Sequence, residues 1–270
     1  MASLAAARMP WLPATILSTR MDTPRHSALL LDVPGWRGHR PGQHADVLLT
    51  AEDGYRAERS YSIATPYDQP GRVELGVTEV DGGEVSSYLV EDAQPGDVIM
   101  IRGPIGGYFV WSARAARTPL QLVAGGSGVV PLRAIAIAWA RAGRPVPARL
   151  LYSARSPVEA PYAAELTALA AGPPATAPPE RNGQSEPIRP SERAGQSELT
   201  LTWTYTREAP VGWDGYRGRV TPTMLADATW PTGERPDIFI CGPTGFVENV
   251  ASALADAGHE PDRIRTERFG

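Results

Sequence analysis

The sequence is poor in the residues that build covalent and metal frameworks. It holds one cysteine, Cys241, in 270 residues. That excludes an intrachain disulfide framework, a four-cysteine metal site and a cysteine-ligated iron–sulfur cluster carried by this chain alone. The four histidines, His26, His39, His44 and His259, have no metal-ligand spacing, so no metal site is expected. A surplus of positive charge is also missing. The formal net charge is -4, and Arg is scattered among Asp and Glu, which leaves no basic stripe to neutralise a phosphate backbone. Nucleic acid is therefore not an expected partner. No long hydrophobic run occurs either. The most apolar window, Leu120 to Ala140, is interrupted by Gly125, Gly126, Gly128, Pro131 and Arg133, which suits a buried strand, turn and helix better than a membrane span. Near the start, Arg8, Pro10 and Pro13 break the chain before a signal core develops, so the chain reads as cytoplasmic.

What is present falls into two patterns. From Thr15 to about Val110, short β-like runs (ATILSTR, ALLLDV, ADVLLT, RSYSIA, RVELGVTEV, DVIMIRG) alternate with Pro-Gly, Asp-Gly and Gly-Gly turn signals. This spacing predicts a small antiparallel β-barrel over 12–112. After Arg117 the pattern becomes apolar strand, glycine turn and helix: LQLVA, then GGSG, then a helical stretch from Val129. Further strands are expected at ARLLYS, LTLTWTY, DIFICG and IRTE, with helices near 161–171, 222–227 and 245–257 between them. The alternation predicts an α/β domain over 117–270 with a Rossmann-like parallel sheet covered on both faces. Gly172 to Glu198 fits neither pattern. It is rich in Pro, Ser, Gly, Glu and Arg and nearly repeats itself as ERNGQSE and ERAGQSE, the composition of a disordered surface insertion.

Several residues carry chemistry. Arg59 opens RSYS on a predicted strand, and Gly83-Glu84-Val85-Ser86 opens a short helix about twenty residues later. A forked guanidinium and the free N–H groups of a helix start both suit a diphosphate. Tyr61 shares the Arg59 face of the strand and offers a ring for a flat heterocycle, while Ser62 points to the alternate face with a hydroxyl. A second glycine turn, Gly125-Gly126-Ser127-Gly128, follows a buried strand and opens a helix. It suits a dinucleotide phosphate and lacks the Gly-Lys-Ser/Thr ending of a P-loop, which argues against ATP or GTP hydrolysis.

RSYS, GEVS, GGSGVVP and CGPTGF, in that order, resemble the ferredoxin-NADP+ reductase superfamily of flavoenzymes over nearly the whole chain. The resemblance implies that Arg59 holds the FAD pyrophosphate, Tyr61 packs on the isoalloxazine and Ser62 approaches flavin N5. Gly83, Val85 and Ser86 would add pyrophosphate contacts. Gly125, Gly126, Ser127 and Gly128 would receive the nicotinamide nucleotide. Arg155 and Arg207, each just past a predicted strand, would meet the 2'-phosphate, which favours NADPH with NADH possible. Arg217 and Arg219 are weaker candidates for the same role. Cys241, with Gly242 and Pro243, would position the nicotinamide without a covalent role. Near the end of the sequence, Glu267 would relay a proton and Phe269 would cover the flavin, although the family's plant-type members end on a tyrosine and this sequence ends on Gly270.

The implied activity is hydride transfer from NADPH or NADH to FAD, then electron transfer to a separate protein. A ferredoxin is the first choice, with a haem, molybdenum or oxygenase component next. A reductase of free flavin and a non-catalytic flavin-binding regulatory subunit are the alternatives.

Overall fold

The computed structural model describes residues 9–51, 53–66, 69–172 and 197–269. Most of the expected insertion, residues 173–196, lies outside the described residues. The chain divides into two compact units: the first runs to Trp111 and takes in Val130–Ile135, and the second comprises Ser112–Val129 and Ala136 onward.

In the first unit six antiparallel strands form one sheet. They are β1 (Leu12–Thr23), β2 (His26–Asp32), β3 (His44–Thr50), β4 (Arg56–Ser62), β5 (Arg72–Thr78) and β6 (Val98–Ile105). The spatial order is β4-β3-β6-β1-β2-β5, and an isolated bridge between Ile63 and Leu75 links the two outer strands, so the sheet closes on itself as a barrel. Alternation along each strand turns Ala14, Ile16, Leu29, Leu31, Val47, Val73, Leu75 and Ile101 into a single core. The helix α1 (Glu84–Ser87) and the π-helical turn Tyr88–Asp92 contribute Val85, Leu89 and Val90 to the same core.

In the second unit six parallel strands are ordered β10-β9-β8-β7-β11-β12. These are β7 (Leu120–Gly125), β8 (Ala148–Ala154), β9 (Leu199–Tyr205), β10 (Tyr216–Arg217), β11 (Asp237–Pro243) and β12 (Ile264–Phe269). The helices are α2 (Val129–Arg141), whose residues Val130–Ile135 count with the first unit, α3 (Ala163–Ala171), α4 (Pro222–Ala228) and α5 (Thr244–Asp256). β7 is buried along its whole length, as a strand covered on both faces should be. Local chemistry sets the helix ends. Thr221 caps α4 by accepting a hydrogen bond from Met224 N at 3.3 Å, with Pro222 at the first helical position. Gly143 (φ +81°) and Gly258 (φ +96°) follow α2 and α5, where the left-handed conformation ends a helix at low cost.

The parallel sheet matters for the site because it brings the carboxyl ends of all its strands to one edge. From the central β7, the chain steps outward through β8 to β9 and β10, then returns to the other side for β11 and β12. The direction of winding therefore reverses between β7 and β11, which is where open α/β sheets leave a crevice for ligands. Two-residue β10 was not among the expected strands, and β5 ends at Thr78 rather than continuing to Val80, because the chain there turns towards Gly83.

Candidate functional site

In the first unit, β4 sorts its side chains by alternation. On one face, Ser60 Oγ donates to Asp46 Oδ1 at 2.6 Å, and Arg102 reaches both Asp46 (2.7 Å) and Glu58 (2.5 Å). Burial works to raise the Asp46 carboxyl, but the hydrogen bonds from Ser60 and Arg102 overcome it and hold the group below its ordinary range. The opposite face carries Arg59 and Tyr61. Arg59 is exposed and, among the described residues, donates through Nη1 to the neighbouring Glu58 carbonyl at 2.7 Å. Tyr61 packs its ring against the barrel core, yet its buried hydroxyl has no hydrogen-bond partner among the described residues. Burial pushes that phenol up to about 12, so it is a neutral donor at any physiological pH. Ser62 is half-buried and pairs with His44 across the β3–β4 ladder.

The turn into α1 is built around Gly83 and Ser86. Gly83 N donates to Val80 O at 2.8 Å, and Ser86 Oγ accepts from Val80 N and donates to Gly83 O, both at 3.1 Å. A Cβ on Gly83 would lie 2.6 Å from Ser86 Oγ, so the turn closes only around glycine. Ser86 is buried and its hydroxyl proton is already committed; what it can offer an anion is its backbone N–H. Val85 is fully buried, and its side chain serves the core. α1 has no side-chain cap. The first-turn N–H groups therefore have no capping side chain to satisfy them. An uncapped helix start, an exposed arginine and a buried donor without an acceptor fit the diphosphate and polyol of a flavin dinucleotide.

In the second unit, the sequence-predicted residues gather along the carboxyl edge. Gly126–Gly128 forms one 3-10 turn between β7 and α2. A Cβ on Gly128 would overlap the Cys241 carbonyl and come within 2.6 Å of Gly242 N, so the turn and the end of β11 are in backbone contact. The ring of Phe246, from the first turn of α5, fills the space above two other glycines. A Cβ would meet it at 2.7 Å from Gly125 and at 2.8 Å from Gly242. These two glycines are thus explained by packing, and Phe246 is the residue that sequence reasoning left without a role.

Cys241 is fully buried, in register with Ala124 of β7 on one side and Glu267 of β12 on the other. Burial and, second to it, the Glu267 charge push its thiol well above the ordinary value, which keeps it protonated and unreactive. Pro243 pairs in register with Phe269, which is 37% exposed.

Arg155 leaves β8 and Arg207 leaves β9. The Arg155 carbonyl accepts from Arg207 N at 2.9 Å and from Glu208 N at 3.1 Å, which ties the two loops together. Both arginines are exposed. Arg217 lies on β10 and its Nη2 donates to Trp213 O at 3.0 Å. Glu159, also overlooked in the sequence, sits 3.6 Å from Arg155. The readable signal was its position four residues after an arginine at a strand end. Among the described residues no group of three His, Cys, Asp or Glu is arranged to hold a metal ion, and no helix is long and apolar enough to cross a membrane.

The family described as oxidoreductase FAD-binding domain matches residues 28–110, and the oxidoreductase NAD-binding domain matches residues 189–252. Ferredoxin–NADP reductase B of Sorangium cellulosum is 32% identical over 233 residues, 84% of each chain. The glycine betaine monooxygenase reductase subunit of Chromohalobacter salexigens is 25% identical over 246 residues, which are 91% of this chain but only 60% of that protein. The FAD/NAD-binding domain of nitric oxide dioxygenase from Vibrio cholerae superposes with a TM-score of 0.76 at 23% identity, covering 96% of this chain and 98% of that one. The chain belongs to the ferredoxin–NADP reductase superfamily.

Proposed function

We propose that the protein takes reducing equivalents from NADPH, through FAD held by the barrel of residues 12–112, and passes them to a separate redox protein. In this reading residues 117–270 receive the pyridine nucleotide. Bound FAD supplies the chemistry, as the acceptor of a hydride at N5 and the source of electrons for the partner.

The chain's own residues bind and align. Arg59 forks onto the diphosphate, and the N–H groups of Glu84, Val85 and Ser86 at the uncapped start of α1 receive the same anion. Tyr61 would turn its ring towards the flavin and donate a hydrogen bond from its neutral hydroxyl to the ligand. Ser62 offers a hydroxyl at flavin N5. Gly126, Ser127 and Gly128 bring backbone close to the nucleotide phosphates, while Gly125 and Gly242 admit the Phe246 ring that shapes the turn. Cys241, as a neutral thiol, and Pro243 set the position of the nicotinamide. Glu267 and Phe269, in register with Cys241 and Pro243, line the same strand ends of the second unit.

The observation that carries the choice of donor is the double hydrogen bond from Arg207 N and Glu208 N to the Arg155 carbonyl. It ties the backbones of the two loops together, so that both arginines stand at one sheet edge, where cationic side chains suit a 2'-phosphate. A ferredoxin is the favoured acceptor because the ferredoxin reductase relative matches over 84% of both chains. The oxygenase reductase relative makes an oxygenase component the next choice. A cytoplasmic setting belongs to the same reading, since a single buried thiol gains nothing from an oxidising compartment.

The test is gel filtration of the purified protein, followed by addition of NADPH and an oxidised ferredoxin. FAD is expected to co-elute with the wild type, to be lost from Arg59→Ala, and to support ferredoxin reduction. A wild type that elutes without flavin yet oxidises NADPH when free flavin is added is a flavin reductase. One that retains FAD but never reduces any acceptor is a regulatory flavoprotein.

A further inference from the structure

The sheet edge that carries Arg155 and Arg207 also carries an acid held in a fixed place. Glu159 ends the 3-10 turn Pro157–Glu159, which begins immediately after Ser156. Its backbone N donates to Ser156 O at 3.2 Å, and its Oε2 accepts from Ser156 Oγ at 3.1 Å. Ser156 is only 4% exposed, so the hydroxyl that orients the carboxylate is itself held by the core. The other oxygen, Oε1, lies 3.6 Å from Arg155 Nη1. The Arg155 backbone is pinned in turn by the two bonds from β9's loop. Arg155 is thus a guanidinium with a resident carboxylate beside it, both half-exposed at the edge where a ligand would arrive.

We propose that Glu159 is a specificity-determining residue for the nucleotide. It accepts a hydrogen bond from the free 2'-hydroxyl of an adenosine ribose, and it competes with a 2'-phosphate for Arg155. The inference rests on the reading of the second unit as the pyridine-nucleotide site. The physical argument has two sides. A half-exposed ion pair at 3.6 Å is weak, so a phosphate that can accept several charge-assisted bonds displaces the carboxylate from Arg155. The bond from Ser156 Oγ keeps the displaced carboxylate near its place, where it stands close to the phosphate with like charge. A hydroxyl meets the opposite situation: it gains a charged acceptor that is already oriented. Glu159 therefore narrows the preference for a 2'-phosphate that Arg155 and Arg207 create.

The experiment is isothermal titration of the FAD-loaded full chain with adenosine 2',5'-bisphosphate and with 5'-AMP, in wild type and Glu159→Gln. Glutamine keeps an acceptor for Ser156 and removes only the charge. The variant is expected to bind the bisphosphate about tenfold tighter, the change that removing one close like charge produces, and AMP a few-fold more weakly. A bisphosphate-to-AMP affinity ratio that is unchanged or lower in Glu159→Gln overturns the role given to Glu159. A wild type that holds FAD and binds neither adenosine ligand overturns the reading of the second unit as well.

Discussion

At the scale of the residue, Tyr61 is the most informative side chain. A phenol whose ring is packed in the core and whose hydroxyl meets no acceptor is a cost in the protein without ligand, and a gain once an acceptor arrives. Tyr61→Phe separates the two. Without flavin, the variant is expected to be more stable than wild type by about 1 kcal/mol in a urea melt, because the desolvated hydroxyl is gone. Titrated with FAD and followed by flavin fluorescence, it is expected to bind about tenfold more weakly, since a hydrogen bond of that size is lost from the complex. A variant that binds FAD as well as wild type would show that the hydroxyl serves no ligand. Cys241 stands at the other extreme. Full burial beside Glu267 leaves a thiol with no reactive form at neutral pH, and its contribution is one of shape.

At the scale of the element, the barrel's β2–β5 ladder has a titratable group built into it. His26 is buried opposite Thr78, and its Nδ1 lies 2.7 Å from Thr78 Oγ1. Burial pushes the imidazole from 6.5 down to about 4. The folded state therefore holds neutral histidine where the unfolded chain binds a proton. Stability is complete above pH 6.5 and falls as the pH drops towards 4, by about 3 kcal/mol in all. Urea midpoints measured between pH 7.5 and 4.5 should show this fall in wild type and a smaller one in His26→Gln. Equal falls in the two proteins would assign the acid sensitivity elsewhere.

The elements were legible in the sequence to different degrees, for physical reasons. Alternating runs such as ADVLLT and the continuous LQLVA announce strands because burial on one face or two leaves a period in the sequence. β10 has only two residues and carries no period to read. The π-helical turn at Tyr88–Asp92 continues α1 with spacing close to that of an α-helix, so only the start at GEVS was visible. In the site, residue types were readable and hydrogen-bond commitments were not. Nothing in GEVS says that the Ser86 proton goes back to Gly83, and nothing in GGSG or CGPTGF says that one ring, Phe246, rests on glycines far apart in sequence. Those are contacts made by the fold. Glu159 was readable from its spacing to Arg155, but its meaning depends on Ser156 holding it.

At the scale of the whole molecule, the family defines the two cofactors and the class of reaction. Each unit has one proposed cofactor site: the uncapped helix α1 with Arg59 and Tyr61 in the first, and the glycine turn beside Cys241, with Arg155 and Arg207 along the same sheet edge, in the second. In the proposed reaction the two sites act together, and NADPH reduces FAD held by this chain. Anaerobic titration of the FAD-loaded protein with NADPH, followed in the visible flavin absorption, tests it most directly. The absorption is expected to bleach with about one equivalent of NADPH per flavin, as a two-electron transfer requires. Bound FAD whose absorption stays unchanged under excess NADPH and under excess NADH would contradict it.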